Sequence, residues 1–279
     1  MLLLSLFASS LSAHADSVIL IAESAEGCKI YISGTDLIHE GCNVHIRSGS
    51  GDTDDDGTLT GLGNLTVGYN TGASVTSGSH NVIIGDANQY SSYGGLVAGY
   101  RNEISDRYAA VSGGRDNLAS GSFASVSGGY YNTASGYLAA ASGGRNNEAG
   151  AAYSSVSGGQ DNLAYGYVTA ISGGKANAAY GTHTSILGGN TNQTSGEYAA
   201  VSGGWFNTAS GNYATVSGGA LNQATGHGSA ISGGSSNLAS NNYASITGGS
   251  YNTASGIYSA ITAGYDNTAT HGYAAVSGG

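Results

Sequence analysis

The sequence contains no proline, and only 9% of its 279 residues are charged, against about 25% in ordinary domains. Without proline the chain is not collagen-like, since that repeat needs Gly-X-Y with abundant proline. Scarce charge combined with 40% hydrophobic residues argues against a solvated, disordered chain. No apolar run reaches the roughly 18 residues that a spanning helix needs. Lysine and arginine total seven and the formal net charge is −10. That leaves no basic stripe for a nucleic acid. What is plentiful is glycine, 49 residues, about 18% against a usual ~7%.

The glycines are periodic. The string [VI]-S-G-G begins at 111, 126, 156, 171, 201, 216, 231 and 276, with variants at 96, 141, 186, 246 and 261. The spacing is fifteen throughout, so twelve complete units run from Leu96 to Ala275. Fixed self-similarity at a short period marks a repeat architecture.

Numbering the columns from the aliphatic residue lets the chain serve as its own alignment. Column one is aliphatic, shrinking to alanine at Ala141, and column four is always glycine. Column three is glycine except at Ala98 and Ala263. Column seven is asparagine in all twelve units: Asn102, Asn117, Asn132, Asn147, Asn162, Asn177, Asn192, Asn207, Asn222, Asn237, Asn252 and Asn267. Column nine is alanine in ten units, and column eleven is glycine in eight, with Asp106 and Asn241 among the rest. Column thirteen is aromatic in eight: Tyr108, Phe123, Tyr153, Tyr198, Tyr213, Tyr243, Tyr258 and Tyr273.

Glycine, asparagine and aspartate tolerate positive φ, so column eleven reads as a left-handed turn residue. Columns three and four read as a second bend, where glycine permits positive φ or close backbone approach. Two bends leave two short strands, about columns thirteen to two and eight to ten. Columns fourteen, one and nine then point inward. A helix would carry a Gly-Gly pair every fifteen residues, costing about 2 kcal/mol per unit, with no apolar stripe to offset it. The expected fold is an all-β parallel β-solenoid, one fifteen-residue coil per turn. Twelve coils at ~4.8 Å make a rod about 58 Å long. The column-seven amides are expected to stack as a hydrogen-bonded ladder, as in other stacked-strand assemblies.

Each coil offers its interior one valine or isoleucine and a few alanine-sized groups, a thin core. The column-thirteen aromatics are the recurrent large apolar groups facing outward. They are expected to form either an oligomer interface or a face that stacks ligands such as sugar rings.

Residues 1–15, MLLLSLFASSLSAHA, read as a secretory signal peptide, with an apolar run and an Ala-His-Ala cleavage pattern. Export makes a disulfide the simplest fate of Cys28 and Cys42; two free buried thiols are the alternative. His39 and His45 flank Cys42, but the spacing fits no common zinc finger. Residues 16–60 read as a small β cap, with strands at Lys29–Ser33 and Val44–Arg47. Residues 61–95 read as irregular leading coils and 96–279 as the regular array. The last residues begin a further unit, so the C-terminus reads as truncated.

Chemistry is sparse. Asp52, Asp54 and Asp56 in Asp-x-Asp-x-Asp-Gly resemble half of a calcium loop, although the twelfth position is Gly63 rather than a bidentate glutamate. An acidic surface loop is the alternative. His183, His227 and His271 occupy different columns about three coils apart. There is no G-x-S-x-G elbow or phosphate loop, and no carboxylate pair is expected to meet on neighbouring coils, so no enzyme is expected.

The steps Val82-Ile83-Ile84-Gly85 and Asn132-Thr133-Ala134-Ser135-Gly136 resemble the YadA-like heads of trimeric autotransporter adhesins, over roughly residues 64–279. The resemblance implies a left-handed parallel β-roll that forms a homotrimer outside the outer membrane and binds extracellular matrix, glycans or other cell-surface ligands. The sequence departs from that family in its fifteen-residue coil with doubled glycine; neither a coiled-coil stalk nor an anchor barrel is part of it. The competing expectations are a purely structural fibre or matrix rod and an ice-binding solenoid. The last would want a flat threonine array, and column eight has threonine only at Thr133, Thr208, Thr253 and Thr268.

Overall fold

The computed structural model describes residues 18–23 and 27–279. The expected signal peptide lies outside them. The chain divides into two compact units, Met1–Ile46 and Arg47–Gly279. The expected cap boundary at residue 60 therefore moves to 46, and the aspartate loop belongs with the solenoid.

In the small unit, strand β1 (Val18–Glu23) pairs antiparallel with β2 (Lys29–Ser33), which pairs with β3 (Asp36–Glu40). β2 and β3 are joined by the two-residue turn Gly34-Thr35, with Gly34 at φ 59°. Glycine in the first central position suits the tight turns that match strand twist. This hairpin takes the third strand to Asp36–Glu40, and the expected strand at Val44–Arg47 is irregular. A disulfide joins Cys28 to Cys42.

The second unit is an all-β parallel β-solenoid. From Ala110–Val111 onward, columns fifteen and one form a two-residue strand in each coil. Ser125–Val126, for example, pairs in parallel with Ala110–Val111 and Ala140–Ala141. Columns eight and nine form the other, as Leu118–Ala119 does with Glu103–Ile104 and Thr133–Ala134. Column five adds single bridges from coil to coil, from Tyr100 through Arg115 and Tyr130 to Tyr265. The strands assemble into one sheet of 15 and one of 13. Among the described residues the only helical element is a 3-10 turn at Asp55–Gly57.

Columns one, nine and fourteen fill the interior, as Val201, Ala209 and Ala214 show. The register locks one coil later than the fifteen-residue spacing implies. The leading strands β4 (Leu65–Val67) and β5 (Val82–Asp86) pair Thr66 with Ile83, and Ile83 pairs in turn with Val97. Val97 then pairs with Val111, so in the first unit Val97 is buried, while Leu96 is only half-buried. In these coils the inward residue stands two positions before glycine; from Val111 onward it stands three before. The doubled glycine is that extra residue.

The bends also differ from expectation. Positive φ falls at columns four, six and thirteen, as at Gly114 (81°), Asp116 (53°) and Phe123 (58°). Column-eleven glycines are not left-handed. They are there because a Cβ on Gly121 would run into the carbonyl of Gly136 in the next coil. The left-handed residues are held by hydrogen bonds between coils. The Phe123 N–H donates to the Arg107 carbonyl, and the Asp116 N–H to the Tyr100 carbonyl.

Candidate functional site

The column-thirteen aromatics sit in turns rather than in strands, and from Phe123 to Tyr273 they are 41% to 77% exposed. A left-handed φ at this position turns the side chain out of the sheet and over the neighbouring coil. Consecutive rings then meet face to face: Tyr108 on Phe123 at 5.1 Å, Tyr198 on Tyr213 at 5.1 Å, Tyr243 on Tyr258 at 4.9 Å.

The row does not stop where column thirteen lacks a ring. At Leu138, Val168 and Gly228 the preceding residue supplies one: Tyr137, Tyr167 and His227. Tyr137 bridges Phe123 and Tyr153 edge-on at 6.0 and 5.6 Å. Tyr167 bridges Tyr153 and His183, and His227 bridges Tyr213 and Tyr243. His183 lies flat on Tyr198 at 4.8 Å. The result is one unbroken ladder of thirteen rings from Tyr93 to Tyr273.

The column-by-column reading missed five of these rings: Tyr93, Tyr137, Tyr167, His183 and His227. The signal was available. In the array, column twelve is aromatic only in the three units where column thirteen has no ring. Ring continuity, rather than residue position, is what the repeat preserves.

The asparagines of column seven are buried from Asn102 to Asn252 and form a ladder, though chiefly to backbone. Asn117 Oδ1 accepts the Asn132 N–H at 2.8 Å, and its Nδ2 donates to the carbonyls of Gly113 and Gly129 at 3.2 and 3.0 Å. Direct amide-to-amide bonds occur at a few steps, such as Asn162 to Asn147. A row turned inward in this way is structural and has no amide to spare for a ligand.

The aspartates behave differently from a calcium loop. Asp52 and Asp56 are exposed, and Asp55 is the buried one. Its Oδ1 accepts the Ser48 and Ser50 hydroxyls at 2.5 and 2.7 Å, and its Oδ2 accepts the Thr60 N–H and hydroxyl at 2.8 and 2.7 Å. These hydrogen bonds hold the Asp55 carboxyl well below the usual carboxylate range. His80 ties the loop to the first coil, its Nε2 accepting the Ser48 N–H and its Nδ1 meeting the Thr53 carbonyl. Among the described residues, no three histidine, cysteine or acidic side chains are placed to hold a metal. Asp52, Asp54 and Asp56 therefore do not converge as calcium ligands, because the loop closes around Asp55 instead.

Compared with known protein families the chain matches none, and no curated protein matches it.

Proposed function

We propose that this chain is an adhesin-like head, secreted or displayed at a bacterial cell surface, and that it attaches through the exposed aromatic ladder on a rigid solenoid. One observation carries the reading: the ladder is kept continuous across units whose own turn residue is not aromatic. Exposed rings contribute apolar area and flat stacking faces at low side-chain entropy, which is what recognition surfaces use. Their mutual stacking, at about 0.5–1.5 kcal/mol per pair, keeps them ordered before a ligand arrives. The resemblance to trimeric autotransporter heads supports the same role and adds assembly as a homotrimer, which would set three ladders on one rod.

The test is retention. The purified chain, immobilised on a surface, is expected to hold cells, matrix proteins or glycans from a broad panel. Replacing Tyr198 and Tyr213 together by serine should reduce that retention several-fold while leaving the β circular-dichroism signal intact. No retention across the panel would sink the adhesin reading and favour a purely structural rod.

A further inference from the structure

A uniform rod repeats one surface, so a site of single copy arises where the repeat breaks. Such a break lies at the start of the solenoid. The first coil is longer than the rest, with Leu65 pairing to Val82 seventeen residues on. The extra length is a loop held against the next coil by hydrogen bonds that include Thr71 Oγ1 to Asp86 at 2.9 Å, Ser74 Oγ to Gln89 Oε1 at 2.7 Å and the Tyr90 N–H to the Val75 carbonyl at 3.0 Å. The loop forms one wall of a groove of about 370 Å³. Columns six and eight of the next coils form the floor, chiefly Gln89, Arg101, Glu103, Asp116 and Tyr131.

Three features define what would fit. Tyr131 is left-handed (φ 55°) and 48% exposed, and its ring rests against Tyr130 at 4.2 Å, so it offers the groove a supported aromatic group. The carboxylate of Asp116 is nearly buried and bound by two guanidiniums, Arg101 at 3.3 Å and Arg115 at 2.9 Å, whose side chains remain half exposed. Arg115 is fixed in turn between the rings of Tyr100 and Tyr130, 5.6 Å from each. Both guanidiniums are taken up by Asp116, and the lining itself sets two carboxylates, Glu103 and Asp116, on neighbouring coils against the single guanidinium of Arg101, a pairing the repeat was not expected to give, so the groove has no spare positive charge to attract an anion.

A groove without excess positive charge, rich in donors and acceptors, and lined on one side by an aromatic ring suits an uncharged ligand with adjacent hydroxyls and an apolar face. From this geometry we infer that the groove is a carbohydrate subsite for one or two pyranose residues of an uncharged glycan. Tyr131 stacks on the sugar's C–H face, and Arg101, Glu103 and Gln89 bond its hydroxyls. The inference rests on the adhesin reading and names the ligand class of one site within it.

The test uses the full chain and neutral oligosaccharides, with sulfated and sialylated ones for comparison, followed by calorimetry or ligand-observed magnetic resonance. Binding is expected for neutral members. Tyr131→Ala and Glu103→Gln should each weaken it about tenfold or more, with no change in thermal unfolding. Neutral-sugar binding undiminished by Tyr131→Ala and Glu103→Gln would overturn the groove assignment. Retention of cells or matrix without any neutral-glycan binding would overturn the ligand class and leave the adhesin reading standing. Preference for the charged glycans would overturn the charge argument.

Discussion

Adjacent glycines in one coil have opposite reasons to exist. Gly159, in column four, has φ 90°, and a Cβ there would run into the carbonyl of Gly174. Gly158, in column three, has no left-handed φ, and a Cβ would meet nothing within 4 Å. Gly159→Ala should therefore destabilise the chain by about 2 kcal/mol or more. Gly158→Ala should be neutral, or stabilise by up to about 1 kcal/mol through the unfolded state. Thermal unfolding of the pair checks this directly. Thr194 stands where column nine is otherwise almost always alanine, and its hydroxyl is buried with no partner. Thr194→Val keeps the shape and removes the orphan, so a gain of about 1 kcal/mol is expected. Tyr165 donates to the Glu148 carboxylate, which with partial burial pushes its hydroxyl up to about 12. Because the folded value is raised, the contribution is complete below the ordinary tyrosine pKa near ~10 and is lost as pH rises through about 12. In Glu148→Gln, the tyrosinate absorbance of this residue should titrate closer to the ordinary value.

At the scale of the coil, the asparagine ladder carries the strongest expectation. Asn162 donates to the carbonyls of Gly158 and Gly174, both at 3.0 Å, and accepts the Asn177 N–H at 3.0 Å. Asn162→Ala strands the Asn177 N–H and the Gly158 carbonyl and takes one of two donors from the Gly174 carbonyl, which keeps the Gln160 N–H at 2.9 Å. A loss of roughly 3 kcal/mol or more should follow, seen as a lowered denaturant midpoint. This element was legible in the sequence, because an amide every fifteen residues is hard to explain otherwise; only its partners were misread. Columns one, four, nine and fourteen were legible for similar reasons of size and periodicity. The turns at columns six and thirteen were not. Left-handed backbone is expected of glycine, asparagine and aspartate, yet Phe206, Val168 and Thr191 adopt it here. The N–H of Val168 donates to the Ala152 carbonyl, and that of Thr191 to the Lys175 carbonyl. Stacking between coils overrides the local preference, and a reading that weighs each residue alone does not see it. The groove at Tyr131 was hidden for a related reason, since it depends on the longer first coil rather than on any motif.

On the scale of the whole solenoid, each array strand pairs only with strands of the coils before and after it, and past Val111 with their same columns. Stability in such a stack is close to a sum of unit and neighbour terms. The interior per coil is one aliphatic residue with alanine-sized company, which is little burial for so many ordered residues. A second buried surface between copies would add what the thin coil lacks, and proposed trimerisation then has a measurable signature. Light scattering should give a mass near three chains, and the melting temperature should rise with protein concentration, as mass action requires of a folded oligomer. Three parallel ladders on one rod would also raise the effective concentration for a repetitive ligand, so an immobilised polymer should be held far longer than its monomeric unit. A folded, β-rich monomer with concentration-independent melting would remove the trimer. It would also show that the amide and ring ladders, running unbroken through the stack, suffice to hold a single chain together.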